Sequence, residues 1–105
     1  MTFIAVAPPD EQGMQIMAGE VRAGCDPDNL KAEFAIQIAT DWQGKGLGRL
    51  LLAKLVRYLR ERGTGEIVGQ CLQENKAMAS LARHAGFVVQ AEPDSDTMSL
   101  RLRLA

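Results

Sequence analysis

Alternation and recurrence of apolar residues divide the chain into eight predicted elements. Six segments rich in apolar and β-branched residues predict strands, and in the third of them Phe34, Ile36 and Ile38 alternate with polar or small neighbours. These six segments are 2–7, 14–24, 33–39, 66–72, 87–92 and 97–104. Two segments with apolar residues at helical spacing, beginning at Leu47 and just after Asn75, predict amphipathic helices that stop at Gly63 and Gly86.

The order of these elements, β-β-β-α-β-α-β-β, predicts an α+β fold in a single domain that covers residues 1–105. The strand–helix–strand unit in the centre predicts a right-handed parallel crossover, and the flanking hairpins predict antiparallel neighbours. We therefore expect a mixed, mainly antiparallel sheet with helices on its faces.

A glycine-rich segment, "QGKGLG" at residues 43–48, lies between the third predicted strand and the first predicted helix. The N–H groups at a helix start are unpaired, and together with the helix dipole they bind anions such as phosphate. Two common phosphate-binding patterns do not fit: Ala39 and Gly46 depart from the Walker motif, and Arg49 replaces the third glycine of the dinucleotide motif. An ordinary strand–helix turn remains the alternative.

Composition narrows the possible classes of function. The 105 residues are 47% hydrophobic with a formal net charge of −1, which gives no electrostatic reason to expect nucleic acid or an anionic membrane as a partner. No apolar run approaches the ~20 residues of a membrane span, and "MTFIAVAPPDEQ" does not read as a signal peptide. We expect Cys25 and Cys71 to be free thiols in the cytoplasm, and no metal site is predicted.

The pattern Gln-x-x-Gly-x-Gly, formed by Gln43, Gly46 and Gly48, resembles the acyl-CoA pyrophosphate loop of the GNAT superfamily of N-acetyltransferases. "ENKAMASLARHAGF" resembles the second cofactor-side helix of that family. "AEFAIQIATDWQGKGLGRLL" is similar to the acetyltransferase domain of Pat-type bacterial protein lysine acetyltransferases. The resemblance extends from Phe3 to Leu104, and its motifs occur in the order of the family.

This resemblance implies a GNAT-like fold, acetyl-CoA as cofactor, and direct transfer of an acetyl group to a primary amine, with a protein lysine as the expected acceptor. A small-molecule amine acetyltransferase and a non-catalytic acyl-CoA sensor are the alternatives. We expect the N–H groups of residues 43–48 to hold the pyrophosphate. The residues implied for cofactor binding are Ile38, Ala39, Gln43, Gly44, Lys45, Gly46, Leu47, Gly48, Arg49 and Asn75. Asn75 is equally well explained as a helix N-cap, and Lys45 and Arg49 as solvated charges.

Transfer to an amine needs a base, because a lysine amine, with a reference pKa of about 10.4, is protonated near neutral pH. Glu33 lies about where some protein acetyltransferases of the superfamily have a catalytic glutamate, and it is the predicted base; an exposed strand-end carboxylate is the alternative. Many members have a tyrosine as general acid in the second helix. Here Ala82 occupies that position, so solvent water is the expected proton donor.

Other polar or reactive residues near these motifs have simpler explanations. We expect His84 to lie at the surface near the helix end, Trp42 to pack rather than to stack on a ligand, and Cys71 to be a small core residue. Arg101 and Arg103 alternate with leucines, which predicts a solvated sheet face.

GNAT domains usually begin with a strand and two helices that build much of the acceptor pocket, and we expect these to be absent here. The sequence leaves open whether the chain is a piece of a longer protein or a short natural variant. Strand 2–7 is then expected to be an open sheet edge, with Phe3, Ile16 or Met17 exposed beside it. We expect a homodimer through the N-terminal hairpin, or a separate polypeptide that covers it.

Overall fold

The computed structural model describes residues 1–9 and 11–104. In these residues the chain forms six strands, a short 3-10 helix (Thr40–Trp42) and two α-helices. The strands are β1 (Thr2–Val6), β2 (Met17–Cys25), β3 (Lys31–Ile38), β4 (Glu66–Leu72), β5 (Val88–Ala91) and β6 (Thr97–Arg103). The helices are α1 (Leu47–Glu61) and α2 (Lys76–His84). Asp10, in the predicted turn after the first strand, and Ala105, at the end of the predicted domain, lie outside the described residues.

The strands form one mixed sheet in the order β1-β2-β3-β4-β6-β5. Strands β3 and β4 run parallel, and the other neighbouring pairs are antiparallel. The predicted fold class and element order are therefore confirmed, with α1 as the crossover between the parallel strands. The second strand was predicted to begin at Met14 but begins at Met17, although Ile16 still accepts a backbone hydrogen bond from Ala7 at 2.9 Å.

Both helices lie on the same face of the sheet, so the expectation of helices on its faces is correct for one face only. Strands β4 and β5 are both antiparallel to β6, so β3, β4 and β5 all point in one direction. Each crossover also moves in the same direction across the sheet. Two right-handed crossovers of this kind place their helices on one side.

The helix-covered face carries the hydrophobic core. Helix α1 contributes Leu51, Leu52, Leu55 and Leu59, all of them buried. Full burial of one such side chain contributes roughly 1.5–3 kcal/mol. The sheet contributes alternate residues from each strand, among them Val21, Ala32, Phe34, Ile67 and Leu100. The predicted inward face of the last strand, Met98, Leu100, Leu102 and Leu104, is confirmed, since each of these is buried or half-buried.

The opposite face of the sheet is bare in the part of the chain that the structure describes. Ile4 and Val6 are more than half exposed there, at 59% and 56%. The prediction that Phe3 would be exposed is wrong: strand alternation turns it toward α1, where its ring packs edge-on against Tyr58 at 5.9 Å. Ile16 and Met17 are exposed, as predicted, and β1 is an edge strand. In the described residues no helix has both the length and the apolar character needed to cross a membrane.

Strands β3 and β4 separate soon after they meet. They pair only along Lys31–Glu33 and Glu66–Val68, while β3 continues to Ile38 and β4 to Leu72. The ring of Phe34 occupies the space beside Gly69, where an added Cβ would lie 2.6 Å from Cε1 of the ring. A bulky side chain on one strand thus faces bare backbone on the other at the point of separation. Past the point of separation, the facing edges of β3 and β4 do not pair with each other or with any other described strand.

Candidate functional site

The loop between β3 and α1 holds two glycines in the left-handed backbone region. Gly44 has a φ of +75° and Gly46 a φ of +84°, which residues with a Cβ strongly disfavour. A Cβ at either position would meet no protein atom within 4 Å. Backbone conformation, rather than crowding, therefore favours glycine here, and the surface above both residues is open to a ligand.

The same loop presents a row of unpaired backbone donors. Among residues 1–9 and 11–104 there is no acceptor for the N–H groups of residues 44–49, and the first helical bond runs from the N–H of Leu50 to the carbonyl of Gly46. The N–H of Gln43, by contrast, donates to the carbonyl of Thr40 at 3.3 Å. The free row therefore covers residues 44–49, one position further along the chain than expected.

The side chain of Gln43 forms a hydrogen bond that stabilises the start of this loop. Its Nε2 donates to the carbonyl of Ile38 at 3.2 Å, and the N–H of Ala39 donates to the carbonyl of Ala18 at 2.8 Å. These two bonds fix where β3 ends and the loop begins. Three of the implied cofactor residues, Ile38, Ala39 and Gln43, thus have a structural role of their own.

Gly48 differs from the other two loop glycines because its missing side chain serves packing. It lies in the first turn of α1, where an added Cβ would be 3.1 Å from Cδ2 of Leu81 and 3.8 Å from Cγ1 of Ile38. Its neighbour Leu47 is half-buried and packs toward Gly19, where an added Cβ would be 3.3 Å from Cδ2 of Leu47. Gly48 therefore lets α2 approach α1, while its N–H remains in the free row.

Basic side chains surround the start of α1. The described first turn of the helix contains Arg49 but neither Asp nor Glu, and Lys45 precedes it. The Nζ of Lys45 lies 5.2 Å from the centre of the Trp42 ring. Positive charge at a helix N-terminus is unfavourable for the helix alone, because the helix dipole is also positive there. An anion at the loop would interact favourably with the dipole, the N–H row and both cations.

A cleft of about 500 Å³ lies beside the point where β3 and β4 separate, and its polar lining residues are Lys31, Glu33, Gln70, Glu92, Ser99 and Arg101. Glu33 belongs to the last residue pair of the two strands, opposite Val68, and is exposed. No hydrogen bond or ion pair to its carboxylate occurs within the described ranges. Glu66 nearby pairs instead with Lys31 at 4.0 Å and with Arg101 at 3.6 Å. The Glu33 carboxylate thus has no partner among the described residues, and Arg101, although it is ion-paired with Glu66, is exposed as predicted.

Strand β3 connects the carboxylate to the glycine loop. From Glu33 to Ile38 the strand takes five steps of about 3.3 Å, or about 17 Å in all. A single ligand that places an anion at the loop and reacts beside Glu33 must therefore be long and extended. The unpaired edge of β3 offers backbone groups along this distance.

The start of α2 is capped in the ordinary way. Oδ1 of Asn75 accepts the N–H of Met78 at 3.0 Å, which confirms the N-cap, and Nδ2 has no partner among the residues described. Ala82 is fully buried and carries no acidic group. His84 is exposed at the end of α2 with Nδ1 2.8 Å from the Ser80 carbonyl, as expected of a surface residue.

Both cysteines are free, as predicted. Cys25 is exposed at the end of β2, and Cys71 is half-buried against the core. Burial raises the pKa of the Cys71 thiol, with a smaller opposing effect from Arg83. A raised pKa disfavours the nucleophilic thiolate, so Cys71 acts as a packing residue, as expected.

Some residues that shape the site were not identified from sequence motifs. Phe34 and Gly69 mark the separation of the strands, and a glycine inside a strand pattern is a usable signal of close approach by another group. Trp42 holds the ammonium group of Lys45, a contact that depends on loop conformation and has no sequence signal.

Comparisons with known proteins agree on one family. A family model described as an acetyltransferase (GNAT) domain matches residues 3–88. An acetyltransferase of Pseudomonas aeruginosa is 31% identical over 105 residues, which are 100% of this chain and 55% of that protein. An L-amino acid N-acyltransferase of Escherichia coli is 38% identical over 60 residues, which are 57% of this chain and 35% of that protein.

Among solved structures, a putative acetyltransferase from Salmonella typhimurium with its cofactor acetyl-CoA has a TM-score of 0.74 and 26% identity. The match covers 86% of this chain and 60% of that chain. This chain therefore spans about half the length of the Pseudomonas relative and a smaller share of the Escherichia coli one.

Proposed function

Because this chain belongs to the GNAT family of acetyltransferases, we propose that it binds acetyl-CoA and transfers the acetyl group to a primary amine. The observation that carries the proposal is the row of unpaired N–H groups at residues 44–49, which follows a strand edge that is itself unpaired. Calorimetric titration with CoA tests the binding. Release of CoA thiol from acetyl-CoA and an amine tests the transfer, measured in a Cys25→Ser background so that this exposed thiol does not contribute.

The loop is proposed to hold the pyrophosphate of the cofactor. Six consecutive N–H groups, the dipole of α1 and the cations Lys45 and Arg49 all favour an anion at this position. The pantetheine arm would then follow the free edge of β3 toward Glu33. The unpartnered Nδ2 of Asn75 supports a second contact, since it is able to donate to the arm while Oδ1 caps α2.

Glu33 is proposed as the base. Its carboxylate accepts a proton from the ammonium form of the acceptor, and the neutral nitrogen then bonds to the thioester carbonyl carbon and releases its second proton to solvent. The C–S bond then breaks, and the CoA sulfur leaves as a thiolate. Ala82 has no proton to give, so solvent water reprotonates the sulfur. The exposure of Glu33 and the lack of a partner for its carboxylate within the described ranges support this role.

For the acceptor we propose a protein lysine, following the resemblance to Pat-type domains. A cleft that opens on the bare face of the sheet is within reach of a side chain on another protein. A small-molecule amine is the second candidate, because one relative is an L-amino acid N-acyltransferase. Mass spectrometry of a lysine-rich protein and of free L-amino acids, each incubated with acetyl-CoA, distinguishes the two.

A non-catalytic acyl-CoA sensor is the alternative from another class. A sensor binds CoA with similar affinity but releases no thiol from acetyl-CoA with any amine. Two free cysteines agree with a reducing compartment, and we propose the cytoplasm.

We further propose that residues 1–105 form the cofactor-binding part of the GNAT fold and associate through the first hairpin. Edge strand β1 has unpaired backbone groups, and Ile4, Val6, Ile16 and Met17 expose apolar surface near it. Sedimentation of the chain should show a dimer. A monomer at high concentration would contradict the homodimer and leave a separate polypeptide as the proposed cover.

A further inference from the structure

Trp42 and Lys45 make a contact that the fold itself does not require. Trp42 ends the 3-10 helix after β3, and Lys45 lies between the two left-handed glycines. The ammonium nitrogen is 5.2 Å from the centre of the ring, within the ~6 Å reach of a cation–π interaction. Trp42 is only half-buried and is not part of the core formed by the described residues, and Lys45 is exposed.

This contact places a positive charge at the loop before any ligand arrives. A free lysine side chain samples many rotamers, and fixing it on a phosphate costs conformational entropy. The ring restricts that freedom in advance. Because an ammonium group has three N–H donors and presents only one side to the ring, it can also donate to an anion.

We propose that Trp42 is a positioning residue for the anion site: its indole ring holds the Lys45 ammonium group where it contacts the ring and a phosphate oxygen at the same time. The inference rests on the proposed binding of CoA by residues 44–49. Trp42 acts through Lys45 and does not stack on the ligand.

Arg49 provides a matched control within the same loop. It is a second exposed cation at the start of α1, and it has no ring contact within the described part of the chain. Removing its charge should weaken CoA binding whether or not Trp42 is present. Once the charge of Lys45 is removed, a substitution of Trp42 should have no further effect on CoA binding.

The test is a double-mutant cycle read by calorimetric titration with CoA. Trp42→Leu and Lys45→Met should each weaken binding about two- to fivefold, and the double variant should bind no more weakly than Lys45→Met alone. Trp42→Leu combined with Arg49→Met should show the product of the two single effects. Trp42→Phe, which keeps a ring, should recover part of the affinity, and thermal melting verifies that each variant is folded.

The single tryptophan gives an independent readout. Because Trp42 is the only tryptophan among the 105 residues, its emission reports its own surroundings. Lys45→Met should shift this emission in the absence of ligand, whereas Arg49→Met should not. An unchanged emission in Lys45→Met would mean that the contact is absent in solution and would overturn the inference.

The outcomes separate this inference from the proposed function. If wild-type protein does not bind CoA, the proposed function fails and this inference fails with it. Two results would overturn the inference while the proposed function stands. In the first, Trp42→Leu binds CoA as well as wild-type protein does. In the second, the loss of CoA affinity in the double variant is the full product of the losses in Trp42→Leu and Lys45→Met.

Discussion

Replacing Gly46 with valine tests the backbone of the candidate loop. Gly46 has a φ of +84°, and a β-branched residue in this region is strained by about 2 kcal/mol. Small domains are stable by about 5–15 kcal/mol, so the variant should remain folded. For a chain of this size the strain should lower Tm by about 10 °C.

The effect of this substitution on CoA binding should be larger than its effect on folding. Nothing lies within 4 Å of a Cβ at Gly46, so the valine Cβ points into open space and occupies the surface that we propose a phosphate approaches. Hydrogen bonds to charged groups contribute about 1.5–3 kcal/mol each. Losing even one should therefore weaken CoA binding by about tenfold to a hundredfold.

Gly63 offers a matched control in the same chain. It also has a φ of +84° and no atom within 4 Å of an added Cβ, but it lies beyond the other end of α1. The 15 residues of the helix separate the two glycines by about 22 Å. Gly63→Val should lower Tm to a similar extent while binding CoA with wild-type affinity in a calorimetric titration. Unchanged affinity in Gly46→Val, or an equal loss in both variants, would refute the reasoning.

Three further substitutions test individual side chains. Glu33→Gln should lower turnover more than CoA affinity and remove the acidic limb of the pH–rate profile; an unchanged profile would make Glu33 an ordinary exposed carboxylate. Asn75→Asp should keep the N-cap and the Tm but lose the amide donor and weaken CoA binding, and wild-type affinity would leave Asn75 with capping alone. Thr64→Val removes a buried hydroxyl that donates to Oδ1 of Asn29 at 2.8 Å. It should lower the free energy of unfolding by about 1–2 kcal/mol in urea without changing CoA affinity, and an effect on affinity would contradict a purely structural role.

Periodicity predicted the helices and strands of the described residues because each buries one face against a single core. The start of the second strand was wrong because Met14 and Ile16 extend its apolar pattern, whereas β1 ends at Val6, the partner of Met17. The face covered by the helices depends on the order of β4, β6 and β5 across the sheet, and local sequence does not determine that order.

The candidate loop was predictable where its backbone conformation strongly favours glycine. The left-handed conformations of Gly44 and Gly46 follow that logic, and the pattern of residues 43–48 indicated a phosphate loop. The paired N–H of Gln43 and the packing role of Gly48 were not predictable, because they depend on how the 3-10 helix and α2 meet the loop. The Trp42–Lys45 contact likewise depends on tertiary geometry.

The two helices of the described chain begin in opposite ways, and the contrast supports an anion site at only one of them. Helix α2 begins at a capping asparagine whose side chain accepts the N–H of Met78. Helix α1 begins at a left-handed glycine without a side-chain cap and with a row of unpaired N–H groups. Each of these features destabilises an isolated helix, and the buried leucines of α1 offset them. The chain caps α2 with an ordinary asparagine, whereas α1 has no side-chain cap. Destabilising features that are concentrated at one helix start are the pattern expected of a functional site.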